Sequence, residues 1–207
     1  MKIALIGATG FVGSGILSEA LDRGHDVTAI ERNPDKLPTH RRLKGVKADV
    51  ADRAELASLV AGHDVVISAF NPGKDASGTG TRSIIDAVKQ AGVARLVVVG
   101  GAGSLEVAPG QRLVDQPEFP AEWKDGSLKT AAFLEDLRGE TELNWTFLCP
   151  AAMIAPGERT GTYRVGGDQL LTGDDGQSRI SIPDYAVAML DEVETPQHPR
   201  QRFSVAY

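Results

Sequence analysis

The stretch that most constrains the chain is KIALIGATGFVGSGI, residues 2–16. Residues 2–6 form an apolar run of the kind buried on both faces of a parallel sheet. Glycines follow at 7, 10, 13 and 15, and then a helical pattern with Val12, Ile16, Ala20 and Leu21 on one side. The spacing G-x-x-G-x-x-G between a strand and a helix carries three requirements. Gly7 permits a tight turn, Gly10 leaves no side chain between the backbone and a pyrophosphate, and Gly13 lets the helix approach the sheet. The helix start at Phe11 and Val12 offers unpaired N–H groups and a partial positive charge to phosphates. The turn therefore predicts dinucleotide binding by Gly7, Thr9, Gly10, Phe11, Val12 and Gly13.

The rest of the chain supplies the sheet that such a turn needs. Strand patterns recur at 26–31, 45–49, 64–68, 95–101 and 144–149, with helical patterns at 11–23, 52–60, 78–91 and 127–138 between them. The helix at 52 opens with a capping box, Asp52 to Glu55. Strand–helix alternation with right-handed crossovers predicts an α/β fold, a doubly wound parallel sheet of Rossmann type. Its ligand site lies beyond the carboxyl ends of the strands. Residues 102–126 contain Pro and Gly without a clear period and read as a functional loop. After Pro150 the chain turns Gly-rich, with short strand patterns at TYRV and SRIS, a helix at 183–193 and a closing strand, RFSVAY. The expectation is one domain, 1–207, with 151–182 as a small substrate-side excursion over the cofactor cleft.

At the end of the second strand two signals compete. Glu31 lies 18 residues after Gly13, where an acid receives the adenosine ribose hydroxyls and favours NAD. Arg32 follows, with Lys36 nearby, and a guanidinium there suits the 2′-phosphate of NADP. The reading favours NADP, with NAD as the alternative. Asp49 and Val50 are expected to flank the adenine, and Ala69 and Phe70 the pyrophosphate or ribose. Gly100 and Pro150, beyond the next strands, complete the line.

Composition narrows the partners. A net charge of −6 with only a short basic cluster, His40-Arg41-Arg42 and Lys44, argues against binding nucleic acid through phosphate neutralisation. The single cysteine, Cys149, excludes a disulfide framework or a cysteine zinc site and reads as a small buried hydrophobe; no metal is expected. No apolar segment approaches membrane-spanning length, and Met1-Lys2 leads directly into the first strand. These features predict a cytoplasmic protein, monomer or homodimer, acting on small molecules away from membranes.

GATGFVG, ERNPDKL, KADV, VISAF and VVVGGAGSL together resemble the atypical short-chain dehydrogenase/reductase group. The segments PGERTG and ISIPDYAVA are a narrower match. They are similar to bacterial proteins described as NADH-flavin reductases, relatives of the biliverdin-IXβ/flavin reductase and NmrA-like groups. The resemblance implies a catalytic serine after the fifth strand and a Tyr-x-x-x-Lys pair. Ser104 matches the serine and Lys129 the lysine, but Asp125 stands where the tyrosine belongs. Tyr163, Tyr185 and Tyr207 come later and lack the following lysine. His25, His40, His63 and His198 fall in loops away from the expected cleft. Ala151-Ala152-Met153 stands where the biliverdin-reducing relatives place a histidine.

Loss of the proton relay has a chemical consequence. A ketone develops a localised alkoxide and needs a positioned donor, whereas an oxidised flavin spreads the incoming charge over its ring. The sequence thus points to hydride transfer from NADP(H) to a flavin, quinone or similar planar acceptor, with Ser104, Tyr163 and Arg164 as candidate polar groups in the acceptor pocket. A non-catalytic, NmrA-like NADP(H) sensor is the alternative.

Overall fold

Apolar residues alternate between the two faces of every central strand, and this places helices on both sides of the sheet. The computed structural model describes residues 1–207. Its strands are β1 (Lys2–Ile6), β2 (Asp26–Glu31), β3 (Leu43–Lys47), β4 (Val65–Ser68), β5 (Arg95–Val99), β6 (Glu106–Ala108), β7 (Gln111–Arg112), β8 (Asn144–Cys149), β9 (Met153–Ala155), β10 (Arg164–Gly166), β11 (Arg179–Ser181) and β12 (Gln201–Ala206). The helices are α1 (Gly13–Asp22), α2 (Arg53–Val60), α3 (Gly80–Gln90), α4 (Ala121–Arg138) and α5 (Ile182–Glu194).

Eight strands form the main sheet in the order β10-β12-β8-β5-β4-β1-β2-β3. All pairs are parallel except β10 with β12. Ile3 and Leu5 face the layer of α1 and α5, where Tyr185 and Met189 are buried. Ala4 and Ile6 face the opposite layer with Ile84, Phe133 and Phe147. This period of two explains why residues 2–6 read as apolar throughout. The chain leaves β1 for β2 on one side and returns to β4 on the other, so the topological switch point lies between β1 and β4. No helix is long and apolar enough to cross a membrane.

The structure corrects several boundaries. The third strand starts at Leu43 rather than 45. The stretch 102–120 is built from 3-10 turns at Ala102–Ser104 and Leu113–Asp115 and the β6–β7 hairpin, rather than an irregular loop. Helix α4 begins at Ala121, six residues before the sequence pattern shows it. Gly126 interrupts the helical pattern there, and the helix passes so close to Gly73 that a Cβ on Gly73 would sit 2.9 Å from the Gly126 Cα. Strand β9 was hidden by its length, and pairs with β11 in a two-stranded parallel sheet.

Candidate cofactor and acceptor site

Parallel pairing lines up the carboxyl ends of the strands. Ile6 lies opposite Ser68, Ser68 opposite Val98, and Val99 opposite Leu148. The residues that follow these strands therefore form one row along the sheet edge: Pro150, Gly100, Ala69, Gly7, then the end of β2 at Glu31 and Asp49 beyond β3. The cofactor-binding residues expected from sequence are brought to this row, and its span of six strands is roughly 24 Å at the usual strand spacing.

The glycine turn occupies the middle of the row. Gly7 has φ +84°, and a Cβ there would lie 2.7 Å from the Ala69 carbonyl oxygen. A Cβ on Gly13 would lie 1.9 Å from the Gly7 carbonyl oxygen. Gly10 is exposed, and a Cβ there would meet only the Gly7 oxygen, tightly, at 3.2 Å. Val12 caps α1, and no backbone carbonyl takes the N–H of Phe11 or Val12. Open backbone, two unclaimed donors and the positive end of α1 fit a pyrophosphate.

At the ribose end, Glu31 is folded onto the turn. Its carboxylate accepts from the Thr9 N–H at 2.7 Å and from the Thr9 hydroxyl at 3.0 Å. Arg32 and Lys36 are exposed. Asp49 accepts from the Ala51 N–H in an Asx turn, and the Val50 carbonyl is held by the Ser83 hydroxyl of α3. Phe70 lays its ring against Gly80, where an added Cβ would be 2.5 Å from Cζ. Beyond Gly100, a Cβ would run into Phe147 and the Cys149 sulfur.

The catalytic pair expected from sequence follows β5, and both members are engaged with neighbouring groups. Ser104 is buried, and its hydroxyl donates to the Gly101 carbonyl at 3.0 Å and sits 3.6 Å from Cys149 Sγ. Its own carbonyl accepts from Arg202, which is also paired with Asp168. Lys129 is half exposed and pairs with Asp125, at 2.9 Å, the residue standing where a tyrosine would be needed.

Tyr163 and Arg164 do not join the row. The Tyr163 hydroxyl donates to Asp191 at 2.6 Å in the last turn of α5, where Arg23 caps the far end of α1. Burial and the facing Asp191 carboxylate push its pKa up. Arg164 donates to the carbonyls of Thr172 and Tyr207. Of the histidines, His25 bonds Glu194 and His198 bonds Glu192, both near the end of α5. His40 instead shares a cavity of about 360 Å³ with Thr9, Ser14, Lys36 and Thr39, closer to the glycine turn than its sequence position implies.

The residue that organises the 156–161 segment did not stand out in the sequence. Asp184 is fully buried and accepts from the N–H groups of Thr160 and Gly161, each at 2.8 Å, and from the hydroxyls of Thr160 and Tyr207. Ser181 caps α5 by accepting from the Asp184 N–H. Arg159 reaches Glu19 of α1 at 2.8 Å. The two narrow sequence matches, PGERTG and ISIPDYAVA, are therefore contact partners. The S-x-x-D pattern at 181–184 was the legible signal.

A parallel sheet with this turn at its switch point is the site of a dinucleotide-binding Rossmann protein. The chain matches the family model described as NAD(P)H-binding over residues 7–193. It belongs to that NAD(P)H-binding family. It is 43% identical over 211 residues to the uncharacterized protein YwnB of Bacillus subtilis (strain 168), covering 99% of this chain and 98% of that one. A structure from Bacteroides thetaiotaomicron, proposed to be an epimerase, is 48% identical with a TM-score of 0.95, covering all of this chain and 96% of that one. Another from Streptococcus pneumoniae TIGR4, proposed to be an NADH-flavin reductase, is 36% identical with a TM-score of 0.85, covering all of this chain and 99% of that one.

Proposed function

We propose that the protein is an NAD(P)H-dependent reductase that passes hydride to a flavin, a quinone or a similar planar acceptor, with NADPH the preferred donor. The observation that carries this reading is the contrast between the two halves of the site. The glycine turn offers open backbone and unclaimed N–H groups. The acceptor end holds a serine whose hydroxyl is already engaged and no Tyr-x-x-x-Lys pair.

Bound NADPH would supply the hydride, and the proton that completes reduction would come from solvent. The chain's own task is placement. Phe11 and Val12 hold the pyrophosphate, Gly100 and Pro150 border the nicotinamide end, and Arg32 with Lys36 takes the 2′-phosphate. Phe11, Trp123 and Met153 are exposed at 61%, 55% and 56%, in segments that follow β1, β5 and β8 at the same sheet edge. Exposed apolar groups at one sheet edge suit a flat, apolar-faced acceptor. In this reading 151–182 walls the acceptor side, tied down by Asp184.

The epimerase proposed for the Bacteroides relative requires proton or hydride chemistry at a carbon bearing oxygen, for which the missing donor is a handicap. The test is to follow NADPH and NADH oxidation by the purified protein with FMN, FAD, riboflavin and small quinones. Steady turnover abolished by Gly10→Asp is the expected result. Tight NADPH binding with no turnover on any of these acceptors would replace this reading with the NmrA-like sensor.

A further inference from the structure

We infer that Thr9 sets the choice between NADPH and NADH by holding the Glu31 carboxylate against the glycine turn; the inference rests on the dinucleotide reading of that turn. A carboxylate at the end of β2 selects NAD when it accepts the ribose hydroxyls, and repels a phosphate placed there. Here one residue engages both oxygens of Glu31, through its N–H at 2.7 Å and its hydroxyl at 3.0 Å. The cations beside it are left unneutralised: neither Arg32 nor Lys36 takes part in an ion pair, although 18 such pairs occur in the chain. Thr9 and Lys36 also line the same cavity of about 360 Å³. The surroundings reinforce this polarity. Residues 32–47 carry six basic side chains against the single acid Asp35, in a chain of net charge −6.

The two signals that conflict in the sequence are thus separated in space by a latch. With the hydroxyl in place, Glu31 serves as a strut of the turn, and Arg32 and Lys36, exposed and outside any ion pair, are free to meet a phosphate. Without it, Glu31 keeps one bond and can swing toward the ribose. There it accepts a 2′-hydroxyl, repels a 2′-phosphate and competes for Arg32. Thr9 is therefore a positioning residue that acts through Glu31.

The test is a double-mutant cycle read as the ratio of NADH to NADPH dissociation constants, by fluorescence titration of the full chain. The wild type is expected to bind NADPH more tightly. Thr9→Val and Thr9→Ala are each expected to lower that preference about tenfold, as loss of one charge-assisted hydrogen bond implies. Thr9→Ser restores it. In a Glu31→Ala background, Thr9→Val leaves the ratio unchanged. A general loosening of the turn weakens both nucleotides alike, so equal loss overturns the inference. So does a shift that persists without Glu31, or a wild type that prefers NADH. A wild type that binds neither nucleotide instead overturns the dinucleotide reading beneath it.

Discussion

A Cβ on Gly13 would stand 1.9 Å from the carbonyl oxygen of Gly7, so the first turn of α1 lies directly on the backbone of the glycine turn. No side chain fits there without moving the helix. Gly13→Ala is expected to destabilise the fold by about 3 kcal/mol, at the upper end of overpacking costs, and to abolish nucleotide binding. Gly10 is exposed and a Cβ there meets a single atom at 3.2 Å, so Gly10→Asp is expected to lower the melting temperature far less than Gly13→Ala while losing NADPH binding to the added charge. Thermal melts and fluorescence titrations of the two variants separate these outcomes.

Ser104 spends its hydroxyl on Gly101 and is buried beside Cys149. Ser104→Ala and Lys129→Ala are therefore expected to change kcat with a flavin acceptor far less than the ~100-fold or greater loss that follows removal of a general acid. Steady-state kinetics of the two variants check this, and a collapse of kcat in either one assigns it the proton.

Asp184 ties the 156–161 segment to α5 through three donors and accepts a fourth hydrogen bond from the Tyr207 hydroxyl. Burial works to raise its pKa, but hydrogen bonds from Tyr207, Thr160 and Gly161 outweigh that and hold the carboxyl below its usual range. A depressed folded-state pKa gives stability that is present above the unfolded value and is lost as pH falls through the folded one. Asp184→Ala is expected to cost about 3 kcal/mol at neutral pH by stranding buried donors. It should also flatten the loss of stability below about pH 4, near the unfolded carboxyl value. Urea unfolding of both proteins across the acid range measures both effects.

Cys149 is fully buried at the end of β8, and burial pushes its thiol up to about 11. An aromatic disulfide reagent at pH about 8 is expected to leave the native protein untouched and to titrate one thiol once the chain is unfolded. Rapid labelling of the native protein would place this strand end in contact with solvent.

How much of this was readable from sequence depended on whether the signal was local. The glycine turn and the apolar strands carry their meaning within a few residues, so β1, β2, β8 and the position of the nucleotide row followed directly. The start of α4 did not, because Gly126 weakens the helical pattern locally and the helix packs there on Gly73, more than fifty positions away. Tyr163 read as a pocket residue because nothing beside it in sequence announces Asp191, its partner in α5. Glu31 and Arg32 gave opposite answers for the same reason. The carboxylate is turned onto Thr9, 22 positions earlier, a contact that neither residue's neighbours in sequence announce.

The central claim is that this site moves hydride to a flat acceptor without a side-chain acid. Its most direct test is anaerobic mixing of the protein and excess NADPH with oxidised FMN, following flavin and nicotinamide absorbance together. One NADPH is expected to be consumed for each flavin bleached, at a rate set by the protein and lost with Gly10→Asp. Saturable NADPH binding with the flavin left oxidised would contradict it.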